Sequence, residues 1–162
     1  MAEQTAFGGK PIVIALVMLI VVGSVMMFVV MEAWNTINPN PYEVPRTYTF
    51  EGEMNGEPCT GEGVMTFKNE SEVWHVYSLD YTLSTATVSE KHHFGVLFNA
   101  SDIPDPDLYE YLGTKTVEGM ELGLWKGEDS GIGYVMYVGD KCSIIQLDIV
   151  SEGLNIIGHR VS

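Results

Sequence analysis

The chain has 162 residues, 46% of them apolar, and a formal net charge of −14. Eight Lys and Arg residues are too few for a phosphate-binding surface, two cysteines exclude a disulfide-dense miniprotein, and aromatic residues recurring to the end exclude a disordered chain. The charge is also unevenly placed: Ile12 to Met31 carries none, whereas 20 of the 22 acidic residues lie from Glu43 onward.

The first element in the chain is therefore a membrane segment. A bilayer core roughly 30 Å thick takes about 20 apolar helical residues, and residues 11–31 supply one such run with no second. Pro11 suits the first turn of a helix, where its missing N–H costs nothing. Trp34 follows the run at the level of the headgroups. The apolar core is longer than that of a secretory signal peptide, and Met31-Glu32-Ala33 is a poor cleavage site, so an uncleaved anchor is expected. Lys10 on the short side and Glu32 on the far side orient residues 1–10 as a cytoplasmic tail, with the bulk of the chain outside the cell membrane. Two glycosylation sequons, at Asn69 and Asn99, fit the same orientation.

Residues 32–45 contain Pro39, Pro41 and Pro45 among asparagines, a composition that stops a helix and favours an extended spacer. From residue 46 to 162 the pattern has period two. Strands are expected over Thr47–Glu51, Gly63–Lys68, Val73–Leu83, Lys91–Phe98, Met120–Leu124, Ile132–Val138, Ile145–Ile149 and Leu154–Val161. Asn55-Gly56 marks a two-residue hairpin. In the strand from Val73 to Leu83 the odd positions form the apolar face and Asp80 lies on the other. A short helix is expected over residues 107–112, with Asp105 as cap, Pro106 at the first position and Gly113 as stop. The fold class is mainly β: one N-terminal transmembrane helix, then an antiparallel β-barrel or β-sandwich of about eight strands with one short helix.

Several residues are candidates for chemistry. Cys59 and Cys142 form an even pair, read as a disulfide in an oxidising compartment. Asp102, Asp105 and Asp107 offer clustered oxygen ligands to a hard cation, but their place before a helix, where acids complement the dipole and Asp105 caps, explains them better, and no metal is expected. His92 and His93 are adjacent on a strand and so point to opposite faces, and His75 lies on the apolar face, where a hydrogen-bonded core histidine is expected. Trp74, Tyr77, Tyr81, Phe94, Phe98, Trp125 and Tyr134 either line a cavity for an apolar ligand or fill a solid core. Gly-x-Ser-x-Gly, His-Glu-x-x-His and the nucleotide-binding glycine patterns are missing from the sequence, so no enzyme activity and no cofactor are expected.

These observations point to a single-pass surface protein whose acidic β domain binds or assembles with a protein partner or a second copy, attached to the membrane through residues 11–31, with no nucleic-acid partner. A barrel holding a small apolar ligand is one alternative. Another follows from the layout: an apolar N-terminal helix before a β head resembles type IV pilins, and the resemblance implies a filament subunit. In that family a peptidase cuts after a glycine preceded by basic residues; here Gly8-Gly9 precedes Lys10, and Glu3 is the one charged side chain upstream.

Overall fold

In the computed structural model, residues 10–37, 39–70 and 73–161 are described. The expected tail, except for Lys10, lies outside them. Two compact units divide the chain, residues 1–40 and residues 41–162.

The first unit contains α1 (Lys10–Ile37). Its window Leu16–Trp34 has a mean hydropathy of 2.5 and is not buried anywhere within the protein. An apolar surface on every side fits a lipid surrounding rather than a seam against one neighbour. Near the N-terminus, then, one helix is long and apolar enough to cross a membrane. It runs six residues beyond Met31, into the expected spacer. Glu32 and Ala33 are good helix formers, and Thr36 returns its hydroxyl to the Glu32 carbonyl at 2.8 Å. Pro39, two residues beyond Ile37, has no N–H with which to continue a helix.

The second unit is all β: β1 (Arg46–Met54), β2 (Glu57–Glu70), β3 (Trp74–Ser84), β4 (Ser89–Asn99), β5 (Glu110–Val117), β6 (Met120–Asp129), β7 (Ile132–Gly139), β8 (Ser143–Ser151) and β9 (Leu154–Arg160). They form one antiparallel sheet in the order β4-β3-β2-β1-β9-β8-β7-β6-β5. The arrangement is a meander in which the first and last strands pair with each other, leaving β4 and β5 as the two edges. The sheet curls on itself rather than splitting into two. Phe94 of β4 stacks on Tyr134 of β7 at 4.1 Å, and the Tyr81 hydroxyl of β3 meets that of Tyr134 at 3.0 Å, although five strands separate β4 from β7 in the sheet order. Alternation decides what goes inside: β1 buries Arg46, Tyr48 and Phe50 and exposes Thr47, Thr49 and Glu51.

The β4 side of the seam between the two edges is covered by side chains and by the segment that joins them. Phe98 bridges to Pro104, the Asp105 N–H donates to the Leu97 carbonyl at 3.0 Å, and the Tyr109 hydroxyl donates to the Gly95 carbonyl at 3.2 Å. This covers the open backbone of β4, which would otherwise be a template for pairing with another chain. Tyr109 lies flat over Gly127 of β6: a Cβ there would stand 2.5 Å from its Cδ1. Gly127→Ala should therefore push Tyr109 out of the seam and cost about 1–3 kcal/mol, as overpacking does, read as a lowered denaturant midpoint at unchanged slope.

The short helix is not formed. Residues 106–108 make a single turn, in which the Asp105 carbonyl accepts the Leu108 and Tyr109 N–H groups. The chain then enters β5, a ninth strand. Two isolated helical turns are marginal, and the ladder from Glu110↔Lys126 to Val117↔Met120 satisfies the same backbone groups in a sheet. Gly113 is no helix stop. It sits at a register shift in β5 with φ +117°.

Candidate functional site

Asn55-Gly56, Glu118-Gly119 and Ser130-Gly131 are hairpin turns in which both residues have positive φ and the second is glycine, the usual solution for such a turn. The turn from β7 to β8 breaks this habit. Lys141 and Cys142 both have φ +55°, with the Ser143 N–H donating to the Asp140 carbonyl at 3.1 Å and no glycine to relieve the left-handed backbone. Asp102, in the link from β4 to β5, has φ +62°. A left-handed residue with a Cβ costs roughly 1–2 kcal/mol, and such positions gather where the surrounding structure has a use for them.

Asp102 and Cys142 meet. The Cys142 thiol donates to Asp102 Oδ1 at 3.3 Å, and the Tyr42 hydroxyl donates to Asp102 Oδ2 at 3.1 Å. His75, at the start of β3 and 9% exposed, places Nε2 at 3.9 Å from Asp102 Oδ1. Its ring stacks on Tyr42 with centroids 4.7 Å apart and planes 2° apart. Behind the cluster the buried Arg46 donates to the carbonyls of Cys142, Lys141 and Pro41, and its guanidinium lies 5.0 Å from the centre of the Tyr77 ring. The Lys141 and Cys142 carbonyls thus turn toward one buried cation, which accounts for part of the unusual backbone. Burial, with the adjacent Asp102 carboxylate second, pushes the Cys142 thiol well above its ordinary range, and Arg46 opposes this. Burial raises the Tyr77 hydroxyl likewise.

One imidazole, one carboxylate and one thiol, drawn from three separate segments, thus offer ligand atoms that all lie within 4.8 Å of one another. This set was not legible as a site in the sequence. The one local signal for it is the missing glycine at Lys141-Cys142, where the turns at Asn55-Gly56, Glu118-Gly119 and Ser130-Gly131 each carry one.

The other candidates resolve differently. Cys59 and Cys142 are both free thiols. Cys142 is held by Arg46 at the start of β1, whereas Cys59 pairs with Gly52, six residues further along that strand. At about 3.3 Å per residue this places them about 20 Å apart, far beyond the roughly 4.4–6.8 Å between Cα atoms that a disulfide spans. The expected disulfide is therefore absent, and its support for an oxidising compartment goes with it. Of the aspartate trio, Asp102 belongs to the cluster above. Asp105 is buried and accepts the Asp107 N–H at 3.0 Å, and Asp107 is exposed, so the three do not converge.

His92 stacks on Tyr81 at 5.2 Å while His93 pairs with Asp80 at 2.9 Å, on opposite faces of β4. Asn69 is exposed on β2, and Ser71 of its sequon lies outside the described residues. Asn99 accepts the Ser101 N–H through Oδ1 at 2.9 Å. The aromatic set occupies the interior with its own rings: Tyr77 meets Phe98 edge-on at 5.7 Å, Phe94 stacks on Tyr134, and Trp125 lies 4.9 Å from Tyr111, with Trp74 half-buried at the margin.

The edge at β5 has a different character. Tyr111 and Leu112 are 52% and 48% exposed, and with Ile103 and Met120 they leave apolar side chains in water. An open groove beside them is lined by Ile103, Tyr111, Glu121, Trp125, Val138 and Asp140.

Comparison with known proteins returns no match to a family model, a curated protein or a solved structure.

Proposed function

We propose that the protein is a single-pass membrane protein whose β domain lies outside the cell and serves as a non-catalytic binding or assembly module. One observation carries this reading: a long, strongly apolar helix with none of its span buried precedes a unit that holds its own core. A helix of that composition has no use in water, and the domain does not need it for packing. The acidity of the residues beyond Glu43 keeps such a domain soluble and off an anionic membrane surface. The binding face is the β5 edge, where unpaired strand backbone and the apolar groove come together. That combination suits an added strand with one or two apolar anchors.

Protease added to intact cells is expected to digest the domain beyond residue 45 and to leave α1 with the membrane. Protection of the domain on intact cells, together with digestion in opened ones, would reverse the orientation. Release of the intact chain by carbonate washing would remove the anchor.

A further inference from the structure

We propose that His75, Asp102 and Cys142 form a binding site for a single zinc-class divalent metal ion. Zinc bonds of about 2.0–2.3 Å in a tetrahedron put neighbouring ligand atoms roughly 3.3–3.8 Å apart. The thiol and carboxylate already stand 3.3 Å apart and the imidazole and carboxylate 3.9 Å. The third separation lies within 4.8 Å and closes by small side-chain rotations. A thiolate, an imidazole and a carboxylate together select zinc or cobalt(II) over calcium and magnesium, which take oxygen ligands alone. The Asp102 side chain is 28% exposed, which gives an ion a path in and leaves a fourth position for water.

The surroundings are arranged for the same end. Tyr42 holds Asp102 through Oδ2 and so leaves Oδ1 to face both other ligands, and its ring fixes the plane of His75. Such partners orient a ligand before the metal arrives. Arg46 clamps the Lys141-Cys142 turn from behind. Two of the three ligands sit on left-handed backbone, which puts their side chains where an ordinary turn would not. A purely structural pin explains this less well: the thiol is a weak hydrogen-bond donor, and a serine would hold Asp102 better. Binding is balanced by one proton. The ion takes the place of the Cys142 thiol proton, which passes to bulk water. The ion would tie together three segments that are distant in sequence: the start of β3, the β4–β5 link and the β7–β8 turn.

Cobalt(II) titration of the full-length protein in detergent, stripped with chelator beforehand, tests the site. One equivalent is expected to produce the near-ultraviolet thiolate-to-cobalt band and the visible bands of tetrahedral cobalt, and zinc is expected to abolish both. Cys59→Ser should leave the spectrum unchanged. Cys142→Ser should remove the thiolate band, and Tyr42→Phe should weaken binding about 10–100-fold, the usual loss when a ligand's partner is removed. Tyr42→Phe keeps the ring and all three ligands, so it reports on the site even if Cys142→Ser does not fold. A stripped wild-type protein that gives no thiolate band, or a band that survives in folded Cys142→Ser, would overturn the proposal.

Discussion

Leu79→Ala is expected to destabilise the β domain by about 2–5 kcal/mol, whereas Asp80→Ala should cost less than about 1 kcal/mol. The two residues are neighbours on β3 and differ in the face they occupy. Leu79 is fully buried and sits among the interior rings, so its removal leaves a cavity lined by side chains that are fixed by their own strands. Asp80 is exposed and its partner is His93 across the β3–β4 ladder at 2.9 Å. The His93 hydrogen bond holds the Asp80 carboxyl below its usual range. A carboxyl lowered in the folded state stabilises above its unfolded pKa, and that contribution fades as the pH falls through the acid range. Solvent screening keeps it small at such an exposed pair. Denaturant unfolding of the full chain in detergent, followed by tryptophan fluorescence, measures both variants. Equal losses at the two positions would show that the buried face of β3 had been misassigned.

The second large effect is expected in alkali. Burial pushes the Tyr48 hydroxyl up to about 12, and burial together with the hydrogen bond to Asp148 at 2.8 Å does the same for Tyr137. Tyr81, Tyr109 and Tyr134 move the same way, again through burial first. An unfolded tyrosine loses its proton near pH 10. Between about pH 10 and 12 the unfolded chain is therefore ionised while the folded chain is not. The stability these groups contribute is complete below about pH 10 and is lost as the pH rises through the folded values. For Tyr48 alone the loss reaches about 2 kcal/mol by pH 12. Tyrosinate absorbance and far-ultraviolet circular dichroism should then change together in one cooperative step. Tyr48→Phe should move that step to higher pH. Free titration near pH 10 with the sheet intact would mean that the rings are not sealed from water.

Strand periodicity carried the interior well. The odd phase of β3 is the buried one from His75 to Leu83, and the Asn55-Gly56 turn lies between β1 and β2 as expected. The phase fails at Val73, which is 53% exposed and precedes the strand. Alternation describes a residue's own strand and says nothing of where that strand ends. The missed strand, β5, has a different cause. It is an edge with most of its side chains in water, so no apolar face marks it, and the Asp-Pro-Asp opening before it imitates a helix start. The cluster of His75, Asp102 and Cys142 was illegible for a third reason. Its members lie 27 and 40 residues apart, on connections whose meeting is decided by how nine strands close into a curl. Cysteine counting suggested a covalent bond because it ignores which end of a strand each cysteine occupies.

The pairing of β1 with β9 has a consequence for the order of events during synthesis. Thr49 faces His159, 110 residues downstream, while its other neighbour, Glu62, is only 13 away. The meander from β1 to β4 can form as soon as those strands are made, because each pairs with the next. One edge of β1 then has to wait, with Tyr48 and Phe50 on its inner face, until the ninth strand arrives. Long-range pairing of this kind is slow, and an unpaired strand edge is where growing chains join one another by mistake. Cells making this protein thus hold a half-built sheet for most of the time that translation of the domain takes. A tether at the N-terminal end of that sheet would keep neighbouring half-built copies apart until closure.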